Sequence, residues 1–244
     1  MTQSLPKRPA LREESVAAIG GVLGLLTHDL RNPLAALSSN VGFLNMVGEP
    51  FSQDVQEALQ DIQLSIEALA RIVDSLELVA HYLGTHTVPP KFAVRVSDVL
   101  RVAVPPTERA AHSHGVVLFI NVNGHDDDRL FVGESYFAKA LAALLLNAIT
   151  SAPARTTVRL DVIVEENDFI FRVTDQGEAL DPQLTQAALT ATGQVEIKTE
   201  KAGRYSRGLG LYVVARSAEL AGAHLRFGLN DSGSTIDLVC SRNT

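Results

Sequence analysis

Two runs of apolar residues at helical spacing, parted by a short helix-breaking segment, constrain this chain more than any other feature. From Leu23 the positions Leu26, Leu30, Leu34, Leu37, Val41 and Leu44 follow in steps of three and four. That spacing gathers them on one stripe of an α-helix. Gly48, Glu49 and Pro50 interrupt the run, and Ser52 is placed to cap a second helix with Asp54 in its first turn. The second stripe runs Val55, Leu59, Ile62, Ile66, Leu69, Val73, Leu76, Val79, Leu83, and Gly84 is placed to end it. A short connection between long helices makes them antiparallel neighbours. One hairpin covers only part of each stripe. The spacing therefore predicts a homodimer in which two hairpins form a four-helix bundle. Packing of the hairpin on the rest of its own chain is the other way to cover it.

After Thr85 to Lys91, a linker containing Pro89 and Pro90, the pattern changes. Val116 to Val122 reads as a strand, Gly124 to Asp128 as a turn, and Tyr136 to Ile149 as a buried helix. Val158, Leu160, Val162 and Val164 alternate with polar residues, as do Phe169, Phe171 and Val173 after a turn at Glu166 to Asp168. This predicts a hairpin with one buried face. Leu209 to Ala221 reads as a helix capped by Gly222, and Leu225 to Leu229 and Thr235 to Cys240 as strands. The fold class is α+β: a helical hairpin, then a sandwich of a mixed sheet with helices on one face. The expected domains are a tail over 1–12, a hairpin over 13–86 and a second domain over 91–244.

Composition narrows the function. The 244 residues suffice for two cores, and 46% hydrophobic against 20% charged residues excludes wholesale disorder. A net charge of -7 argues against a nucleic-acid or anionic-membrane binder. The single cysteine, Cys240, makes neither an internal disulfide nor a zinc site, which fits a reducing cytoplasm. No apolar run reaches the roughly 18 residues of a membrane span. The polar start, and the three glycines between Val16 and Leu26, do not read as a signal peptide. Residues 1–12 are too short to form a domain of their own.

The string His28-Asp29-Leu30-Arg31-Asn32-Pro33-Leu34 carries the first chemistry. His28 lies two residues from both Leu26 and Leu30, about 200° around the helix, so it points away from the stripe. Asn32 is one turn further along the same face. Asp29 is placed to hold one imidazole nitrogen protonated while the other acts as a nucleophile. Pro33 removes a backbone hydrogen bond just past the histidine. On an amphipathic hairpin this string resembles the H box of two-component sensor histidine kinases.

Three later strings stand in the order that family uses. Leu145-Leu146-Asn147-Ala148-Ile149 resembles the N box, Val173-Thr174-Asp175-Gln176-Gly177 the G1 box, and Arg207-Gly208-Leu209-Gly210-Leu211 the G2 box. The resemblance covers roughly residues 13 to 244. It implies a Bergerat or GHKL-type ATP-binding domain with ATP and Mg²⁺ as cofactors, and a response-regulator receiver domain as partner. Within it, Asp175 is expected to accept from the adenine amino group, and Gly177 to let backbone approach the ring. Arg207, Gly208 and Gly210 are expected at the phosphates, at a helix N-terminus. Asn147 would offer its amide oxygen to Mg²⁺. Thr190 to Ser206 reads as a mobile lid, with Lys198, Lys201 and Arg204 near the phosphates. His28, Asp29 and Asn32 take the catalytic roles, Asn32 by placing a water for receiver dephosphorylation.

The ATP side departs from the family pattern at four places. Ala143 stands where a polar or acidic residue is usual, Thr150 where a phosphate-binding lysine is common, Ala179 for a second glycine, and Ser206 for the first glycine of Gly-x-Gly-x-Gly. They motivate a second reading, an ATP-independent histidine phosphotransferase or scaffold dimer. A third is a GHKL-type ATPase or binding module carrying an unrelated helical hairpin.

Overall fold

The computed structural model describes residues 11–47, 51–84, 89–165, 167–179, 181–190, 193–194, 196–197, 210–230 and 233–242. The chain divides into two units, Met1–Thr87 and Val88–Thr244.

The first unit is a hairpin of α1 (Leu11–Val47) and α2 (Gln53–Gly84). Helix α1 begins well before the apolar stripe and runs through Pro33. The ring removes the N–H that would bond the Asp29 carbonyl, one residue past His28. The Ser52 carbonyl accepts the Val55 and Gln56 N–H groups at 3.0 and 3.1 Å, opening α2 where the sequence placed its cap. Each predicted stripe resolves into two rows. Val41 of α1 packs with Leu59 and Ile66 of α2, and Leu34 joins them. Val73 and Ala80 continue the α2 row, buried, at seven-residue spacing. The other row, Leu30, Leu37 and Leu44 on α1 with Val55, Ile62 and Leu69 on α2, stays exposed. Each row repeats every seven residues, the period of helices that pack side by side.

The second unit starts with β1 (Phe92–Arg95), α3 (Val96–Ser113), β2 (Val117–Asn121) and β3 (Arg129–Val132). Then come α4 (Glu134–Ser151), β4 (Thr157–Glu165), β5 (Asp168–Asp175) and α5 (Pro182–Ala188). It ends with α6 (Gly210–Ala221), β6 (His224–Asn230) and β7 (Gly233–Ser241). The main sheet runs β2-β4-β5-β7-β6, with β2 parallel to β4 and the other pairs antiparallel. A separate antiparallel pair joins β1 to β3. Helix α4 buries Phe137, Leu141, Leu144, Leu145 and Ile149 in one core with Val158, Leu160, Phe169, Phe171 and Leu238. The Phe137 and Phe171 rings meet edge to face, centroids 5.1 Å apart.

Three features differ from the sequence expectation. Helix α3 carries Pro105 and Pro106, and no element is expected over it from the sequence. Both face solvent, and the carbonyls they leave unpaired belong to exposed Arg101 and Val102, where water can satisfy them. Its buried residues Val96, Val99, Ala103, Thr107 and Ala111 keep helical spacing. Strands β1 and β3, four residues each, are too short to show a period. The β4–β5 hairpin is not buried on one face only, because Ile170 on the opposite face of central strand β5 is also buried, paired with buried Val239. A central strand has a neighbour on each side, so an apolar side chain there loses its water more readily than one at an edge.

Candidate functional site

On the hairpin, His28 stands in solvent. The side chains of His28 and Asp29 are 76% and 78% exposed, and the Asp29 Oδ1 lies 3.4 Å from the His28 Nδ1. That carboxylate favours the tautomer with its proton on Nδ1, which makes Nε2 the ring nitrogen that carries the lone pair. Thr27 is buried beside it and Asn32 is exposed one turn on. The placement follows from the periodicity: Leu34 and Val41 turn toward α2, and His28 turns out.

In the second unit the candidate residues converge at the C-terminal end of α4. Asp175 closes β5 and is only 2% exposed. Its Oδ1 accepts the Gly177 N–H at 2.8 Å, and its Oδ2 accepts the Ser234 hydroxyl of β7. Each carboxylate oxygen has a second lone pair, so the group can still accept from an incoming amino group. A Cβ at Gly177 would stand 2.5 Å from the Ser151 carbonyl oxygen and 2.8 Å from the Asp175 Oδ1, so only glycine lets this loop close on α4. A Cβ at Gly210 would stand 3.1 Å from the Asn147 Oδ1, which places that amide at the N-terminus of α6. The Asn147 Nδ2 is buried with no hydrogen-bond partner among the described residues. An orphaned buried amide is costly. Here the unpaired N–H marks a polar cradle that a phosphate oxygen would fit, and the Oδ1 of the same amide is the kind of oxygen a hard cation takes.

Two family descriptions match this chain. "His Kinase A (phospho-acceptor) domain" covers residues 19–81, and "Histidine kinase-, DNA gyrase B-, and HSP90-like ATPase" covers residues 134–242. The first contains the exposed histidine and the second the cradle. The chain belongs to the sensor histidine kinases.

The sensor protein QseC of Escherichia coli K12 is 26% identical over 207 residues, covering 84% of this chain and 44% of that protein. The chain thus spans less than half the length of that relative. Among solved structures, Acinetobacter baumannii histidine kinase AdeS is 18% identical with a TM-score of 0.56, covering 89% of this chain and 98% of that one. Full-length ShkA in complex with AMPPNP is 19% identical with a TM-score of 0.61, covering 91% of this chain and 45% of that one. Both likenesses bear on the fold: a helical N-terminal region and an α/β domain of GHKL type.

The candidate sites contain two residues that the sequence analysis does not single out. Ser234 was missed because it meets Asp175 only through the β5–β7 register. Gly233 was missed too. Its φ is +153°, and a Cβ there would run into the Asp175 carbonyl. The pair Gly-Ser before an alternating strand was the available signal. Arg207 and Gly208, expected at the phosphates, lie outside the described residues, as do Lys198, Lys201, Arg204 and Ser206. Of the segment read as a mobile lid, the described part packs down. Gln194 Nε2 donates to the Ala188 carbonyl at 2.7 Å, and Ile197 is 2% exposed in the core. Polar composition hides this anchoring. No helix among the described residues is long and apolar enough to cross a membrane.

Proposed function

We propose that this chain is a cytoplasmic histidine kinase core, with residues 13–86 as the dimerisation and phosphotransfer unit and 91–244 as the ATP-binding unit. The observation that carries the reading is the exposed His28 with Asp29 at its Nδ1. The lone pair on Nε2 attacks the γ-phosphorus of ATP, the bond to the bridging oxygen breaks, and ADP leaves. Asp29 supports the positive charge that develops on the ring and takes up the Nδ1 proton. A receiver aspartate then attacks the phosphorus, the N–P bond breaks, and Asp29 returns the proton to Nδ1 so that neutral imidazole leaves. Asn32 holds a water on the same face for receiver dephosphorylation. Asp175 accepts from the adenine amino group, Gly177 admits the ring, and Arg207, Gly208 and Gly210 attend the phosphates. Asn147 would hold Mg²⁺ through its amide oxygen, and the ion would supply charge neutralisation at the phosphates.

Two surfaces support the partners. The exposed row Leu30, Leu37, Leu44, Val55, Ile62 and Leu69 suits a second copy of the hairpin, making a four-helix bundle. Exposed Phe43 and Met46 lie on the His28 side of α1, about four and five turns on, and suit a docked receiver. The input signal comes from a separate protein or from a further part of a longer one.

One observation favours the ATP-independent phosphotransferase. Where a phosphate-binding lysine is common, the Thr150 hydroxyl turns back to donate to the Leu146 and Asn147 carbonyls at 2.9 and 3.2 Å. Incubation with γ-labelled ATP separates the readings. Acid-labile label that disappears in His28→Ala supports the kinase. Absence of ATP binding with or without Mg²⁺, together with back-transfer from a phosphorylated receiver to His28, supports the phosphotransferase. Retention of full function by His28→Ala would leave only the ATPase or binding module.

A further inference from the structure

Arg31 sits three residues after His28, one turn along α1, so the two side chains are surface neighbours. Its guanidinium is turned across the hairpin to α2. The Nη2 donates to the Asp74 Oδ1 at 2.6 Å and to the Glu77 Oε2 at 2.7 Å, and the Nη1 donates to the Glu77 Oε1 at 3.2 Å. Glu77 first, then Asp74, push the Arg31 pKa further up, so the cation is permanent. No other Lys or Arg occurs between Arg12 and Arg71. Over residues 11–87 there are ten acidic and three basic residues.

That charge balance sets a problem for the chemistry. A phosphoryl group on His28 brings close to two negative charges onto a turn that already holds Asp29, opposite Asp74 and Glu77. The sequence supplies one nearby cation, and two carboxylates already hold it. All three partners are substantially exposed, with side chains 40 to 60% accessible. Exposed ion pairs are weak and exchange readily. A phosphoryl group offers a guanidinium the same two-pronged geometry with more charge.

We propose that Arg31 is the counter-charge of phosphorylated His28, held in reserve by Asp74 and Glu77. When His28 carries the phosphoryl group, the guanidinium moves toward its oxygens and lets go of α2. The two carboxylates are positioning residues: they keep the cation off the unmodified imidazole and set how strongly it answers the phosphoryl group. Their release loosens α1 from α2 at that level, so the hairpin reports its own phosphorylation. This rests on His28 being the phosphoacceptor.

The test bypasses the ATP domain. Phosphoramidate transfers its phosphoryl group to imidazole nitrogen; the reagent's N–P bond breaks and ammonia leaves. The full chain is treated with it, and the phosphorus NMR signal absent from His28→Ala is assigned to His28. The second ionisation of that phosphoryl group is then titrated, since a neighbouring cation favours the dianion. Its pKa is expected to rise by roughly half a unit to one unit in Arg31→Gln. In the double variant Asp74→Asn, Glu77→Gln it is expected to fall below wild type, because the cation is freed. The groups facing the site are Asp29 and Arg31 from α1 and Asp74 and Glu77 from α2, with His81 one turn beyond. Asp29 and His81 are common to these variants. The exchange Arg31→Glu with Glu77→Arg restores an interhelical pair, and with it the melting temperature, but leaves no cation on the His28 turn. Its titration is expected at or above that of Arg31→Gln. Wild-type titration in Arg31→Gln, or in the exchanged pair, overturns the proposal. Should Arg31→Gln lose its helical circular dichroism, Arg31→Lys decides, and is expected to stay nearer wild type than the exchanged pair; a value equal to the exchanged pair refutes the role. No label on His28, while free histidine in the same tube is labelled, overturns the phosphoacceptor reading and this proposal together. A labelled His28 whose pKa ignores all the variants overturns this proposal alone.

Discussion

Gly210→Ala separates stability from ligand binding in a way few substitutions here do. Gly210 opens α6 in helical backbone that any residue adopts, and its missing methyl would stand 3.1 Å from the Asn147 Oδ1 and 3.8 Å from its Cγ. Ordinary contact needs a few tenths of an ångström more, which the amide can supply by turning. In a helix interior alanine is favoured over glycine by about 0.8–1 kcal/mol, and roughly half of that is expected in a first turn. Displacing Asn147 offsets a similar amount. The melting temperature is therefore expected to stay within about 3 °C of wild type. The ligand side is less forgiving. Mg²⁺ demands near-octahedral oxygen ligands at about 2.0–2.1 Å, so a donor moved by a few tenths of an ångström is a poor one. The expected result is about a tenfold loss of Mg²⁺-dependent ATP affinity, close to 1.4 kcal/mol, with little change in the absence of Mg²⁺. Calorimetric titration with and without Mg²⁺, beside thermal melts, measures both halves. Wild-type Mg-ATP affinity in the variant, or a melting point lower by about 10 °C, would refute the reasoning.

Two further outcomes follow from the packing and the charges. Ile62→Lys with Leu69→Lys places two charges in the exposed row of α2, and sedimentation is expected to show a monomer where the unchanged chain is a dimer; a dimer that survives both changes rules out this row as the interface. Asp161 accepts from the Arg159 Nε at 2.6 Å and from the Asn121 Nδ2 at 2.8 Å, and Arg159 above all holds its carboxyl below the usual range. A lowered folded pKa gives stability that is present above the unfolded value and lost as the pH falls through the folded one. The melting-point gap between the native chain and Asp161→Asn is thus expected to be open at pH 7 and to close below about pH 4, the ordinary aspartate value. A gap unchanged at pH 3 would count against it.

The candidate site residues were legible to unequal degrees. His28 could be placed from sequence because a helix turns 100° per residue, so the positions of Leu26 and Leu30 settle where His28 points. Asp175 and Asn147 were legible as residue types at the end of an alternating run and in a helical one. Their contacts were not. Thr150 reads as a mere substitution for lysine until its hydroxyl is seen bonded to its own helix. Ile197 looks like one apolar residue in a polar segment until it is found in the core. The prolines of α3 are tolerated because the carbonyls they free are exposed to water.

From the sequence alone came much of what covalent geometry and local period govern: two helical stripes, the outward histidine with its adjacent carboxylate, the alternating strands, and Gly177 where backbone must pass close. Only the tertiary structure decided which row of each stripe faces the other helix, that Ser234 meets Asp175 across 59 residues, and that Arg31 reaches Asp74 and Glu77 across 43 and 46. The reason is that period is a property of neighbours along the chain. A contact between distant residues depends on strand register and on how two helices settle against each other, and no local spacing records either.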